Sequence, residues 1–468
     1  MSDIINKKFE ELKDKYQKKQ TAIRFNFRQF VSTNLHIKRS DVYTHNIHSY
    51  PGRLFPYIPI FFLSSDKFCP GNGKVLDPFS GSGTVLLESI VNPYYKRHVY
   101  GVEINPLARL ISKVKITPIN PKELDYKIEQ LYALIQTAKR NSRFKASIPN
   151  FKNIDLWFSK NAKNGLGKLK ACIEQLENDD CKDFFWVCFS KVVRSVSKAD
   201  PNIPPPVILK IEKYKNSYRY KKLKTLIKRN ENPDVESIFK EIVQVNSERI
   251  KHLWEVKEIR EKEVEAKIIW DDSRSIKKGY YIFKGMIDKK DAQNINNSIS
   301  MIMTSPPYMT AQKYVRSTRL ELYWLGMISE ADLKELDKQT IGTERVSALL
   351  EKQELGIVAI DNLLKKIGKL SKERMLVTYE YFKNMAQVFI QCYRLLKKDG
   401  LMILVIGNNK VGNLTVNTAR LLTELAKKSG FKDVFILRDE IKGRGMITKR
   451  HGTGGLIKDE YIVVLRKY

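Results

Sequence analysis

Residues 74–90 read KVLDPFSGSGTVLLESI, and this stretch limits the fold more than any other. Val75 and Leu76 end a strand, Asp77 through Thr84 make a turn, and VLLESI opens a helix. Gly81 and Gly83 lack a Cβ, so the backbone can turn tightly there and a ligand can come close. A second strand follows, and VYGVEINP sets an acid, Glu103, at its end, about 20 positions on, where ribose hydroxyls are held in such folds. The turn has neither the third glycine of a dinucleotide site nor the Gly-Lys-Ser/Thr of a nucleoside triphosphate site. A ligand with a ribose but no pyrophosphate suits it. A lone G-x-G is common in tight turns; strand, loop, helix, strand and acid together are much more specific.

The alternation resumes from about residue 265. IIW at 268–270, SMIMT at 300–304, LMILVIG at 401–407 and YIVVLRK at 461–467 read as strands. Residues 381–398 and 415–430 read as helices. Strands alternating with helices predict an α/β fold with a doubly wound, mostly parallel, Rossmann-like sheet. Residues 121–264 differ: they are rich in Lys, Glu and Asn, helix-patterned, and broken by prolines at 204–206. The expected layout is an N-terminal helical segment (1–45), a cofactor-binding half (46–120), a helical basic insertion that is a candidate DNA-recognition region (121–264), and an active-site half (265–468).

Ser305-Pro306-Pro307-Tyr308 follows an apolar strand and so falls at its carboxyl end, where open α/β sheets bind ligands. An exocyclic amine on a nucleobase is a poor nucleophile, because its lone pair is delocalised into the ring. Acceptors aimed at its N–H groups help the nitrogen become tetrahedral as it attacks. Ser305 Oγ and the Pro306 carbonyl can be those acceptors, and Pro307 stiffens the loop. Tyr308 offers a ring for the base to stack on, which requires a base turned out of the duplex. The chemistry needs neither metal nor covalent nucleophile; positioning supplies most of the rate.

At these residues the chain resembles the amino-methyltransferase family of DNA modification enzymes, N4-cytosine type. In that family Ser-Pro-Pro-Tyr accompanies most cytosine enzymes, and Asp- or Asn-Pro-Pro-Tyr most adenine enzymes. The resemblance implies a methyltransferase fold with S-adenosylmethionine in the 77–84 loop. It assigns Asp77, Phe79, Gly81 and Gly83 to the cofactor's methionine side and Glu103 to its ribose, and Thr84 is a further candidate cofactor-binding residue. IIWDDSRSI at 268–276 looks like the adenine-contacting segment, which points to Asp272 and, behind it, Asp271. Residues 48–63 look like the segment that closes over the methionine end, and 313–326 and 341–345 like the stretch after the tetrapeptide. The insertion departs from the family pattern, lying between the ribose acid and the adenine-contacting segment. The expected substrate is double-stranded DNA and the expected reaction methyl transfer to cytosine N4. N6-adenine methylation on the same fold, RNA methylation and a catalytically dead nucleic-acid-binding protein stand as alternatives. A host-defence pairing with a restriction endonuclease is implied by the resemblance alone.

Charge agrees with a polyanionic partner. Lys and Arg total 84 against 52 Asp and Glu, a net of +32. From Lys210 to Arg229, KIEKYKNSYRYKKLKTLIKR holds nine basic residues and one acid, with tyrosines interleaved. Lys221, Lys222 and Lys224 there, with Arg316 and Arg319 after the tetrapeptide, are the candidate nucleic-acid contacts; a solvated helix face is the bland reading of the same run. GRGMITKRHGTGG at 443–455 is a glycine-rich basic loop or a hairpin connection. The five cysteines are scattered, none at zinc-site spacing, and Cys69-Pro70 lies ahead of the cofactor loop, which argues against thiolate-dependent C5 methylation. His45 and His48 have no partners in sequence that would complete a catalytic or metal site and read as structural. No transmembrane or signal segment is expected, and free thiols suit a reducing cytoplasm.

Overall fold

The computed structural model of the chain describes residues 2–39, 41–276, 295–309, 313–346, 354–412, 414–440 and 459–468. Its strands are β1 (Ile23–Arg24), β2 (Lys74–Asp77), β3 (His98–Val102), β4 (Ala266–Trp270), β5 (Ile299–Thr304), β6 (Leu396–Gly407), β7 (Asn409–Val411), β8 (Leu414–Val416), β9 (Phe431–Glu440) and β10 (Asp459–Lys467). Eight of them form one sheet in the order β1-β9-β10-β6-β5-β2-β3-β4, and β7 pairs with β8 apart from it. From β6 to β4 every pairing is parallel, while β10 runs antiparallel to both of its neighbours. The sheet is the doubly wound, mostly parallel one expected from the alternation.

Its central strands are apolar on both faces because both are covered. In β6, Leu401, Ile403 and Val405 enter one cluster with Met301 and Met303 of β5 and the helices Tyr57–Leu63 and Thr84–Val91. Met402, Leu404 and Ile406 enter another with Ile302 and the helices Lys372–Leu395 and Thr418–Lys428. A period of two in the strand thus feeds two cores, which is why the sequence reads as an unbroken apolar run.

Two regions differ from their sequence reading. The N-terminal segment is more than a polar helix: Ser2–Lys19 buries Ile5, Phe9, Leu12 and Tyr16, and β1 then adds a parallel edge strand to β9. β9, with its apolar run Val434–Leu437, is a further strand that the sequence reading did not name. The segment between β3 and β4 is helical, with Pro121–Arg140, Lys160–Glu174, Asp180–Val196, Tyr220–Glu231 and Val235–Trp254 as its long helices. All of these helices except Tyr220–Glu231 share one core with Leu107 and Ile111 after β3 and with Val315, Leu320 and Trp324 after the tetrapeptide. The helical block is therefore packed onto both halves of the site. Among the described residues no helix is long and apolar enough to cross a membrane.

Candidate active site

The chain runs β2, β3, β4 outward in one direction and then returns to lay β5 on the other side of β2. The strand order reverses between β2 and β5, and open α/β sheets bind ligands at such a point, beyond the carboxyl ends. Those two ends are tied together. Thr304, the last residue of β5, donates its hydroxyl to Asp77 Oδ1, the last residue of β2, at 2.5 Å, and the Phe79 N–H donates to the same oxygen at 3.0 Å. Asp77 is only 4% exposed, and burial pushes its carboxyl up to about 7 despite those two donors.

Above this tie lies an open cleft. Pro78, Phe79, Gly81 and Glu103 line it from the cofactor-binding half, Asp271 and Asp272 from the end of β4, and Ser305 and Pro307 from the tetrapeptide. Tyr50, Pro51 and Gly52 and the run Gln339–Ile341 close it. The two motifs that the sequence singled out, far apart along the chain, thus face one cavity.

The glycine turn is built around the strand-end acid. Glu103 accepts from the Gly81 N–H at 2.8 Å and from the Asn105 N–H at 2.8 Å, and burial raises its carboxyl above the usual range. A carboxylate has about four lone-pair positions, so two backbone donors leave room for a pair of ligand hydroxyls. Gly81 has φ +51° and no neighbouring atom closer than 3.9 Å to a built Cβ, so its missing side chain leaves the cleft open. Gly83, at φ +76°, serves packing instead: a Cβ there would stand 3.0 Å from Ser112 Oγ and 3.3 Å from Ser112 Cα on the helix Pro106–Ile116. Thr84 opens the following helix, is buried, and its hydroxyl finds no partner. Asp77 and Thr84 lie behind the turn rather than on the cleft wall. Asp272 does line the wall, with its carboxylate held by the Arg274 guanidinium at 2.9 Å through Nε and 2.9 Å through Nη2.

On the other side Ser305 and Pro307 are half-buried and Pro306 is buried. Tyr308 is 8% exposed, so its ring is part of the core in this state and not a free platform. Burial and the nearby Glu460 carboxylate push its phenol well above the ordinary value, with the Ser305 side chain and Gly407 backbone also beside it. Burial, with Asp439 nearby, lifts Glu460 to about 7.

The predicted nucleic-acid residues separate into two kinds. Arg316 is taken up by Asp337 at 3.2 Å and Glu344 at 3.8 Å. Arg319 stacks over Trp157 at 4.9 Å and donates to the Pro206 carbonyl at 3.0 Å. Both act as struts inside the protein. Lys221, Lys222 and Lys224 are exposed on the helix Tyr220–Glu231 and line no part of the cleft. The 443–455 loop falls outside the described residues.

Sequence reasoning missed Thr304, Asn105 and Glu460. Asn105 caps the helix Pro106–Ile116 and donates to the Tyr50 hydroxyl and to Thr318 Oγ1, each at 3.1 Å, joining the segment before the glycine loop to the one after the tetrapeptide. The Asn-Pro pair is a helix-start signal and was legible as such. Glu460 had no local signal, because it reaches Tyr308 only through the pairing of β10 with β6. His45 is buried against Glu88, Nε2 to Oε1 at 2.6 Å, and His48 is buried and depressed to about 3 by that burial. All five cysteines are buried and free, and none lines the cleft.

Known proteins agree with this constellation. Residues 299–466, which hold the tetrapeptide, match the DNA methylase family N6_N4_Mtase. The whole chain is similar to the type II methyltransferase M.MvaI of Kocuria varians, 26% identical over 490 residues, covering 100% of this chain and 99% of that protein. The type II methyltransferase M.AvaI of Nostoc sp. strain PCC 7120 is 28% identical over 175 residues, 33% of this chain and 35% of that one. Among solved structures, a DNA modification methylase from Thermus thermophilus complexed with S-adenosyl-L-methionine aligns at 22% identity, over 19% of this chain and 38% of that chain, with a TM-score of 0.15. The rRNA methyltransferase aviRa from Streptomyces viridochromogenes aligns at 10% identity over 90% and 88%, with a TM-score of 0.31. TM-scores of this size carry no argument; the likeness rests on the sequence matches, and the family match lies on residues 299–466.

Proposed function

We propose that this chain is an S-adenosylmethionine-dependent DNA methyltransferase that methylates N4 of a cytosine turned out of the duplex. The observation that carries the reading is the shared cleft, with Gly81 and Glu103 on one wall and Ser305 and Pro307 on the other. The residues fit the cofactor: an open glycine turn, an acid with spare lone pairs at the next strand end, and a phenyl ring at Phe79 beside them. Glu103 would hold the ribose, the Asp271–Ser273 wall the adenine, and the Phe79–Gly81 turn the methionine end. When bound, the cofactor supplies a methyl group made electrophilic by its positively charged sulfur.

The protein's own part is to hold the amine in line with that methyl. Ser305 Oγ and the Pro306 carbonyl accept the amine's N–H groups and stabilise the charge that grows on nitrogen as it attacks. The closing segments, Tyr50–Gly52 and Gln339–Ile341, keep water out. For Tyr308 to stack on the base, its ring has to emerge from the core when DNA binds, and the unstacking of the base costs a few kcal/mol that the protein's contacts offset. Cytosine N4 is preferred to adenine N6 because serine heads the tetrapeptide. M.MvaI and M.AvaI are type II methyltransferases, and by that likeness a restriction endonuclease of the same site specificity is the proposed partner.

The test is expression in a host free of DNA methylation, followed by sequencing sensitive to modified bases. The expected result is N4-methylcytosine at one recurring sequence, absent with Ser305→Ala. N6-methyladenine would move the assignment to the other amine; unmodified DNA would overturn it.

A further inference from the structure

The helix Tyr220–Glu231 lies on the insertion with one face inward. Leu223 and Asn230 are buried, and Leu226 and Ile227 half-buried beside them. At 100° per residue, Lys221, Lys222, Lys224 and Lys228 fall on the opposite arc, and all four are exposed. Lys210, Lys213 and Lys215 just before the helix are exposed too.

These lysines stand close together with few acids among them. Some surface lysines elsewhere are paired within their own helix, as in Lys8–Glu11, Lys240–Glu236 and Lys427–Glu424. Among the described residues none of the seven lysines from 210 to 228 has a carboxylate partner. A solvated helix face needs no such segregation. The helix is 12 residues long, about 18 Å at the α-helical rise, and duplex DNA presents a negative charge about every 1.7 Å of its axis. A helix of that length lies alongside several phosphates. Beside it stands Tyr218, 88% exposed, with Arg219 over its ring at 5.2 Å.

This patch is held in register with the cleft. Arg219 donates to Asn202 Oδ1 at 2.8 Å, the 199–209 loop reaches Arg319 through the Pro206 carbonyl at 3.0 Å, and Arg319 adjoins Thr318, which meets Asn105 at the cleft wall. Arg229 fixes the far end of the helix to the Ser195 carbonyl at 2.8 Å.

We propose that the exposed face of Tyr220–Glu231, with the lysines before it, is the surface on which duplex DNA rests its phosphate backbone, and that the Arg219–Asn202 and Pro206–Arg319 contacts set the distance from that backbone to the cleft. The proposal rests on the function proposed above, and it divides the positive residues by role: the lysines carry the duplex, while Arg316 and Arg319 brace the protein.

The test is duplex binding by fluorescence anisotropy across about 50–200 mM salt, with the full-length chain and its Lys221→Gln/Lys222→Gln/Lys224→Gln variant. Each phosphate contact contributes about 0.9 to the slope of log affinity against log salt. Loss of three contacts lowers that slope by about 2.7, so over this range the variant's affinity falls about 40-fold less than that of the wild type. Cofactor affinity and melting temperature stay as they were, since all three side chains are exposed. An unchanged slope overturns the proposal, and so does a larger loss for structured RNA than for duplex DNA. Methyl incorporation by the wild type is read separately: its absence would sink the function, while an unchanged slope in an active enzyme would sink only the patch.

Discussion

Ser305 and Asp77 make opposite demands on their surroundings. Ser305 is half-buried at the cleft, so removing its hydroxyl empties no core, and under the proposed function it takes away a reaction contact. Ser305→Ala is expected to lower kcat by about 10²–10³, the range for losing one aimed transition-state hydrogen bond, with cofactor affinity unchanged by calorimetry. Tyr308→Ala should also abolish transfer and keep cofactor binding, but it excavates a ring that is 8% exposed; Tyr308→Phe is the cleaner probe of the phenol. Asp77 carries a pH signature. Its carboxyl titrates at about 7 in the folded protein, chiefly through burial, and near 3.9 in an unfolded chain. Between those values the folded state holds the extra proton, so the contribution is full below about pH 4 and is lost as pH rises through about 7. Asp77→Asn keeps an acceptor for Thr304 and Phe79 without the titration. The expected outcome is a melting temperature that falls less from about pH 5 to about pH 8 than in the wild type; equal slopes would mean that Asp77 does not titrate there.

The glycine turn and the tetrapeptide strand were legible because their signals are local: an apolar strand, a turn chemistry, a helix, each within a few residues. Gly83 shows where local reading stops. Its place in the motif was plain, but its reason, the closeness of Ser112, belongs to the packing of two helices. Gly83→Val is expected to push the helix Pro106–Ile116 away and abolish cofactor binding; retained affinity would contradict that. β1 was invisible for a related reason: it has two residues and acquires its meaning only by pairing with β9, far away in sequence. The burial of Ser2–Lys19 was equally hidden, since Phe9 finds Phe68 at 4.3 Å and Phe435 at 4.8 Å across the fold. Phe9→Ala should cost about 3–5 kcal/mol, read from a denaturant midpoint. A change below about 1 kcal/mol would make the N-terminal helix an appendage after all.

Over the whole molecule there are three cores, and two of them reach the cleft, through Tyr50 and Val315 and through Val102 and Ile341. Two cover the faces of the sheet, and the third fastens the helical block to the segments after β3 and after the tetrapeptide. The net charge of +32 announced a polyanion, but not where it would lie. Charge counts cannot tell a lysine facing solvent from an arginine spent on Asp337 or Trp157; only three-dimensional pairing does. The account stands on the adjacency of the Gly81–Glu103 wall and the Ser305 corner. Its most direct measurement is in vitro: purified chain, methyl-labelled S-adenosylmethionine and unmethylated duplex, then enzymatic digestion and mass spectrometry of the nucleosides. The expected product is labelled N4-methyldeoxycytidine, lost with Ser305→Ala. A label on cytosine C5, a label only on RNA, or tight cofactor binding without any methylated nucleoside would contradict it.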